Sequence, residues 1–326
     1  DISIYGNDEN ISLTQNNPKT SKTESKPHSQ KILTRNRLWL SSRNFLNIHN
    51  LGGNILFSSV TSGDWNNDGR LDILIGSKSG KIFAFENKSD NGTDWYPISF
   101  PALSKNNRSF SYPYLVDIDG DKDLDIISGN KQGKIEWIIN QGNQKKPVWE
   151  IFDLNLSQID VGNFSAPLLE DMDNDGDLDM LVGNSKGLII YYENKGEKTA
   201  PHYVLRSTRI SGSKMRANSS PTFFKWNEDK YPDLVVGNRE GFLSLITHFP
   251  PENSPIFRGW NLKDSKWQNI KSVGYSTPHF ADFDRDNKTD LMMGDRHGNL
   301  IFLKNRGLKK IEKNKENEAV ILSKNS

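Results

Sequence analysis

The 326-residue chain has no cysteine, which excludes a disulfide framework, thiol nucleophiles and thiolate zinc sites. It has no excess of either charge: 42 Lys and Arg stand against 41 Asp and Glu, for a net +1. Composition therefore makes no electrostatic case for nucleic acid, whose binders carry a strongly basic face. No apolar run approaches the ~18 residues of a membrane-spanning helix, and the mean hydropathy is −0.70. HExxH and P-loop signatures are absent, and the first residue is Asp1 rather than Met. Removal of a signal segment and a cut within a longer chain are both consistent with that start.

What is present is repetition. Residues 1–36 are rich in Ser, Asn, Lys and Thr and read as a flexible leader. Residues 308–326 read as a charged tail with room for a short helix. Between them, residues 37–307 carry five acidic stretches: DWNNDGRLD, DIDGDKDLD, DMDNDGDLD, KWNEDKYPD and DFDRDNKTD, starting at 64, 117, 171, 225 and 282. The starts are almost evenly spaced, and five such periods fill the span 37–307 with no room for a sixth. With i the first residue of each stretch, serine stands at i−6 (Ser58, Ser111, Ser165, Ser219, Ser276). Glycine stands at i+12 (Gly76, Gly129, Gly183, Gly237, Gly294) and at i+16 (Gly80, Gly133, Gly187, Gly241, Gly298).

Each period reads as four strands. Short apolar runs such as Met180-Leu181-Val182 follow the acidic loop and suit strands buried on both faces. The glycine pair makes the next hairpin, and an aromatic strand is marked by Trp95, Trp149, Tyr203 and Trp260. Four strands per repeat is the pattern of a β-propeller blade. The fold expected is all-β, a five-bladed propeller of four-stranded blades. The lone strand near Arg37–Ser42, with Trp39, is expected to complete the last blade and close the ring.

The loops gather oxygen donors at i, i+2, i+4 and i+8. The first has Asp64, Asn66, Asp68 and Asp72; the second Asp117, Asp119, Asp121 and Asp125. The third has Asp171, Asp173, Asp175 and Asp179; the fifth Asp282, Asp284, Asp286 and Asp290. Carboxylates so close repel unless a cation neutralises them. Hard oxygens in a flexible loop suit Ca²⁺ better than Mg²⁺, which demands strict octahedral geometry. The EF-hand reading fails, because i+11 is never Glu and a strand follows the loop. The fourth loop begins with Lys225, followed by Asn227, Asp229 and Asp233. An ammonium has no lone pair to donate, so this loop is expected to be metal-free and neutralised by Lys225, leaving about four calcium sites.

The motif D-x-D-x-D-G-x-x-D, an apolar run and G-x-x-x-G resembles the VCBS or FG-GAP repeat family, over residues 37 to about 307. That family includes the propeller of integrin α subunits and some lectins. The resemblance implies that each loop joins the first two strands of a blade and binds Ca²⁺ through i, i+2, i+4 and i+8, with a backbone carbonyl at i+6.

For function, the innermost strand should line the axis with Thr61, Tyr114, Leu168, Thr222 and His279 at i−3, and Gly63, Val116, Glu170, Phe224 and Ala281 at i−1. Glu170 is the only carboxylate in either ring, whereas glycoside hydrolysis needs two; no enzyme is expected. His279 and His297 are weak candidates for a shared site. Trp65 and Trp226, at i+1, are weak candidates for an exposed sugar contact, although i+1 is apolar in every copy, which fits packing. The expected role is a calcium-stabilised, extracytoplasmic protein-interaction or adhesion module. A glycan-binding lectin is the alternative, and an accessory propeller of a carbohydrate-active enzyme comes third. Variable segments such as 104–108 and 214–218 are where partner specificity would sit.

Overall fold

The computed structural model describes residues 37–43, 55–90, 94–101, 109–152, 159–198, 200–211, 215–227, 229–251, 258–308, 312–313 and 319–320. The expected leader and most of the expected charged tail lie outside these residues, as do positions 104–108 and 214. In the tail a two-residue strand pair, Glu312–Lys313 with Ala319–Val320, stands where a short helix was expected.

The described core is five antiparallel four-stranded sheets. After β1 (Arg37–Arg43), the first blade is β2 (Ser59–Gly63), β3 (Asp72–Gly76), β4 (Ile82–Asn87) and β5 (Trp95–Ile98). The second is β6 (Ser111–Val116), β7 (Asp125–Asn130), β8 (Ile135–Asn140) and β9 (Trp149–Phe152). The third is β10 (Ala166–Glu170), β11 (Asp179–Gly183), β12 (Ile189–Asn194) and β13 (Tyr203–Ser207). The fourth is β14 (Ser220–Phe224), β15 (Asp233–Gly237), β16 (Leu243–His248) and β17 (Trp260–Asp264). The fifth has β18 (Thr277–Ala281), β19 (Asp290–Gly294) and β20 (Leu300–Leu308). Its fourth strand is β1, which pairs with β20 and sets Trp39 opposite Asn305. That register repeats Asn87 opposite Trp95 and Asn140 opposite Trp149.

The second strand of every blade is buried throughout, as its unbroken apolar run requires. Five clusters fill the space between sheets, each drawing side chains from two adjacent blades. Each fully buried aliphatic side chain contributes about 2 kcal/mol.

The innermost strands β2, β6, β10, β14 and β18 touch in a ring, β18 against β2 included. Each boundary carries the same joint. The i−6 serine hydroxyl accepts the backbone N–H of residue i+13 in the preceding blade: Ser111 from Ser77, Ser165 from Asn130, Ser219 from Asn184, Ser276 from Asn238 and Ser58 from Asp295, at 2.8–3.0 Å. It donates to the carbonyl at i+17 (Lys81, Lys134, Leu188, Phe242, Asn299) at 2.7–3.0 Å. The glycine at i+12 makes room for this joint. A Cβ there would lie 2.0–2.2 Å from the serine carbonyl oxygen of the next blade.

One residue before each serine the backbone is left-handed, at Phe57, Phe110, Phe164, Asn218 and Tyr275 (φ 53–64°). Bulky residues rarely adopt this conformation. Here it brings four aromatic side chains into an edge-to-face arc, at centroid distances of 4.7 Å (Phe57–Tyr275), 4.9 Å (Phe57–Phe110) and 4.8 Å (Phe110–Phe164).

Candidate metal centres and axial mouth

The acidic loops all connect the first and second strands, so they lie at one end of the ring, opposite the glycine hairpins. In the first, third and fifth loops the carboxylate at i turns back and accepts the amides of i+4 and i+5. Asp64 takes Asp68 and Gly69 at 3.0 and 2.7 Å. Asp171 takes Asp175 and Gly176 at 3.2 Å each. Asp282 takes Asp286 and Asn287 at 3.1 and 2.8 Å. The second loop closes differently, with Asp117 accepting Gly120 N–H at 2.6 Å. Left-handed residues at i+5 bend the chain in four loops: Gly69, Lys122, Gly176 and Asn287, at φ 80, 78, 97 and 61°. Lys230, at i+5 of the fourth loop, is not left-handed.

This folding brings together part of each expected ligand set. Carboxylates of Asp117, Asp119 and Asp125 converge, as do those of Asp171, Asp173 and Asp175, and those of Asp282, Asp284 and Asp290, each trio with oxygens within 4.8 Å of one another. Asp121 and Asp286 stand outside their trios, and so does Asp179. The Tyr191 hydroxyl donates to Asp179 at 2.7 Å. Lys304 pairs with Asp284 and, at 3.4 Å, with Asp286. The first loop forms no carboxylate trio, because Asn66 supplies an amide; its Asp68 pairs with Arg70.

The aspartate at i+8 has a second task that its spacing does not announce. In every blade one of its oxygens accepts the backbone N–H of residue i+23, at 2.7–2.9 Å. It therefore pins the third strand to the second. This holds for Asp233 in the fourth blade too, so an aspartate at i+8 is not by itself a mark of metal.

Burial and the neighbouring carboxylates push Asp72, Asp123, Asp125 and Asp179 up to about 7 and Asp290 to about 6. Burial is the larger cause in each. Six aspartate oxygens are buried without a partner among the described residues, on Asp72, Asp123, Asp173, Asp177, Asp284 and Asp290. All belong to the first, second, third and fifth loops, and none to the fourth. Orphaned anionic oxygens gathered in a loop fit a hard divalent cation.

The fourth loop departs from expectation. Lys225 makes no ion pair with Asp229 or Asp233 among the described bridges, and Glu228 of the same loop lies outside the described residues. Both Asp233 oxygens are instead taken by backbone amides, from His248 at 2.9 Å and Trp226 at 3.2 Å.

The axis is lined by residues at i−5 as well as i−3, among them Tyr112, Thr277, Tyr114 and His279, around about 30 Å³ of space. His279 Nε2 accepts the Ser62 N–H at 3.1 Å and lies 2.8 Å from Ser62 Oγ; burial pulls its pKa down to about 4. His297 lies in a hairpin at the other end, bonded to Arg296, so the two histidines share no site. Trp65 is 1 % exposed and packs edge-on against Trp149 at 5.8 Å, which removes it as a sugar contact. Trp226 is half-buried against Trp267 at 5.8 Å. A cleft of about 310 Å³ opens at the loop end beside Glu170, Phe223, Lys225, Lys230, Tyr231 and Phe280. One hint of it stands in the sequence, the lysine that interrupts the acidic motif.

The FG-GAP-like repeat family matches at residues 64–128 and 171–236. No curated protein matches the chain. Among solved structures, Xyloglucan PUL GH43B of Bacteroides ovatus is similar at a TM-score of 0.47 and 14% identity, over 82% of this chain and 54% of that one. The chain thus spans about half the length of that structure. The acidic loops, the glycine pairs and five four-stranded blades share one register: the chain is a five-bladed β-propeller, and two stretches of it match the FG-GAP-like repeat family.

Proposed function

We propose that the chain is an extracytoplasmic recognition module, a propeller stapled by calcium that acts by binding a protein partner, as an adhesion module does, rather than by catalysis. The observation that carries the staple is the set of orphaned aspartate oxygens confined to four loops. Asp64, Asn66, Asp68 and Asp72 would hold one ion; Asp117, Asp119, Asp121 and Asp125 a second. Asp171, Asp173, Asp175 and Asp179 would hold a third, and Asp282, Asp284, Asp286 and Asp290 a fourth. When bound, the cation neutralises carboxylates that otherwise repel. The chain's own part is to hold the loop closed through the amides that the first aspartate accepts. Sites of this kind fill where calcium is abundant, which supports a place outside the cytosol. The non-catalytic reading rests on the narrow axis and on Glu170 as the single carboxylate of its two inner rings.

Calorimetric titration of chelator-treated protein tests the staple. Four calcium ions per chain are expected, and an uptake of one or none would sink it. One observation favours the second reading, a glycan-binding lectin: the amphipathic cleft at the fourth loop. A broad glycan array, with calcium and after chelation, decides between them. Hits establish the lectin, and silence from folded protein leaves the protein-binding reading.

A further inference from the structure

The fourth repeat breaks the metal pattern at the place where the cleft opens. In the other loops position i is an aspartate; here it is Lys225, exposed at the lip. Lys230, at i+5, is exposed beside it, with its ammonium 5.1 Å from the centre of the Tyr231 ring. Neither ammonium has a carboxylate partner among the described ion pairs. Glu170, contributed by the end of β10, faces the same space and is likewise unpaired there. Half-buried Phe223, Tyr231 and Phe280 supply apolar walls. At about 310 Å³ the cleft falls at the lower end of the range for small-ligand sites.

These features select a ligand by elimination. Two ammoniums with no carboxylate partner among the described residues call for an anion. A bare phosphate would leave the aromatic walls unused, and a neutral sugar would leave the lysines unused. Glu170 accepts hydrogen bonds when ionised, so it favours a ligand that also carries hydroxyl donors. We propose that the cleft binds an acidic sugar residue, a uronic acid, with its carboxylate on Lys225 and Lys230, its C–H face on the aromatic walls and a hydroxyl on Glu170. The proposal rests on the glycan-binding reading above and narrows it to one site and one chemical class.

The test is titration of the full chain, saturated with calcium, with the methyl glycosides of glucuronic and galacturonic acid and with their neutral counterparts. The uronates should bind at least tenfold more tightly. Lys225→Gln and Lys230→Gln should each weaken uronate binding about tenfold while leaving the neutral sugar unchanged. Glu170→Gln should weaken acid and neutral sugars alike. Lys145→Gln, in a hairpin at the same end of the ring but outside the cleft, should change neither, and unfolding midpoints establish that each variant is folded. Equal affinity for acid and neutral sugars overturns the proposal, and so does unchanged uronate binding by Lys225→Gln. Competition by inorganic phosphate as strong as by uronate also overturns it, as the mark of a bare anion site. Array hits confined to neutral glycans refute this site while leaving the lectin reading intact; uronate binding with a silent array supports the site and confines recognition to single acidic residues.

Discussion

Ser165→Ala probes the joint that repeats around the ring. The hydroxyl accepts the Asn130 N–H at 2.8 Å and donates to the Lys134 carbonyl at 2.7 Å, and the serine is fully buried. Alanine strands one donor and one acceptor. A buried polar group left without a partner costs about 1–3 kcal/mol, so stranding two should cost roughly 2–6 kcal/mol. In urea denaturation this appears as a lower midpoint at unchanged slope. The informative comparison is Ser58→Ala, which removes the same pair of bonds, to Asp295 and Asn299, across the boundary between the fifth and first blades. If that boundary is a joint like the others, the two variants lose equal stability within the error of the measurement. A Ser58→Ala variant as stable as the parent, beside a Ser165→Ala variant that shows the full loss, would refute the reasoning: the ring would then be open in solution at that boundary.

Other outcomes follow from the same structure. Chelation should lower the unfolding temperature, because a site with a dissociation constant a hundredfold below the free calcium adds about 2.7 kcal/mol; a midpoint indifferent to chelator would contradict the staple. Asp117→Asn should lower the calcium stoichiometry measured by calorimetry by one, whereas Asp229→Asn, in the fourth loop, should leave it unchanged. His279 is held neutral at the axis, with its pKa at about 4 against about 6.5 when unfolded. The unfolded chain therefore takes up a proton first, and stability falls as pH drops from 6.5 toward 4, by up to about 3 kcal/mol. In denaturation series at saturating calcium, His279→Gln should lose that component of the slope. Trp65→Ala should cost about 3–5 kcal/mol as a core truncation, and a glycan array should show no loss specific to it.

The blades were legible because each strand announces itself locally. Apolar runs, glycine pairs and aromatic markers recur at fixed offsets, and β3, β7, β11, β15 and β19 stand where those runs lie. Features that depend on a neighbouring blade were not legible. Ser165 marks the register, but its partners lie 31 and 35 residues away in the preceding sheet. The left-handed Phe57, Phe110 and Phe164 oppose their own backbone preference, which only packing around the axis overrides. Trp65 misleads because a residue in an acidic loop suggests exposure, while the i+1 side chain points under the loop into the space beside Trp149. The oxygen donors could be read as ligand sets, yet Asp179, bonded to Tyr191, and Asp286, paired with Lys304, stand outside their trios, and both partners lie on strands outside the loops.

The fourth loop has a consequence for counting. A ring of like blades offers a partner as many equivalent azimuths as there are blades, so a ligand that reads a repeated loop can dock several times and in several orientations. Lys225 occurs once at its position. A ligand that reads it meets a single address on the circumference, binds one to a chain, and fixes the rotation of the ring relative to whatever carries that ligand.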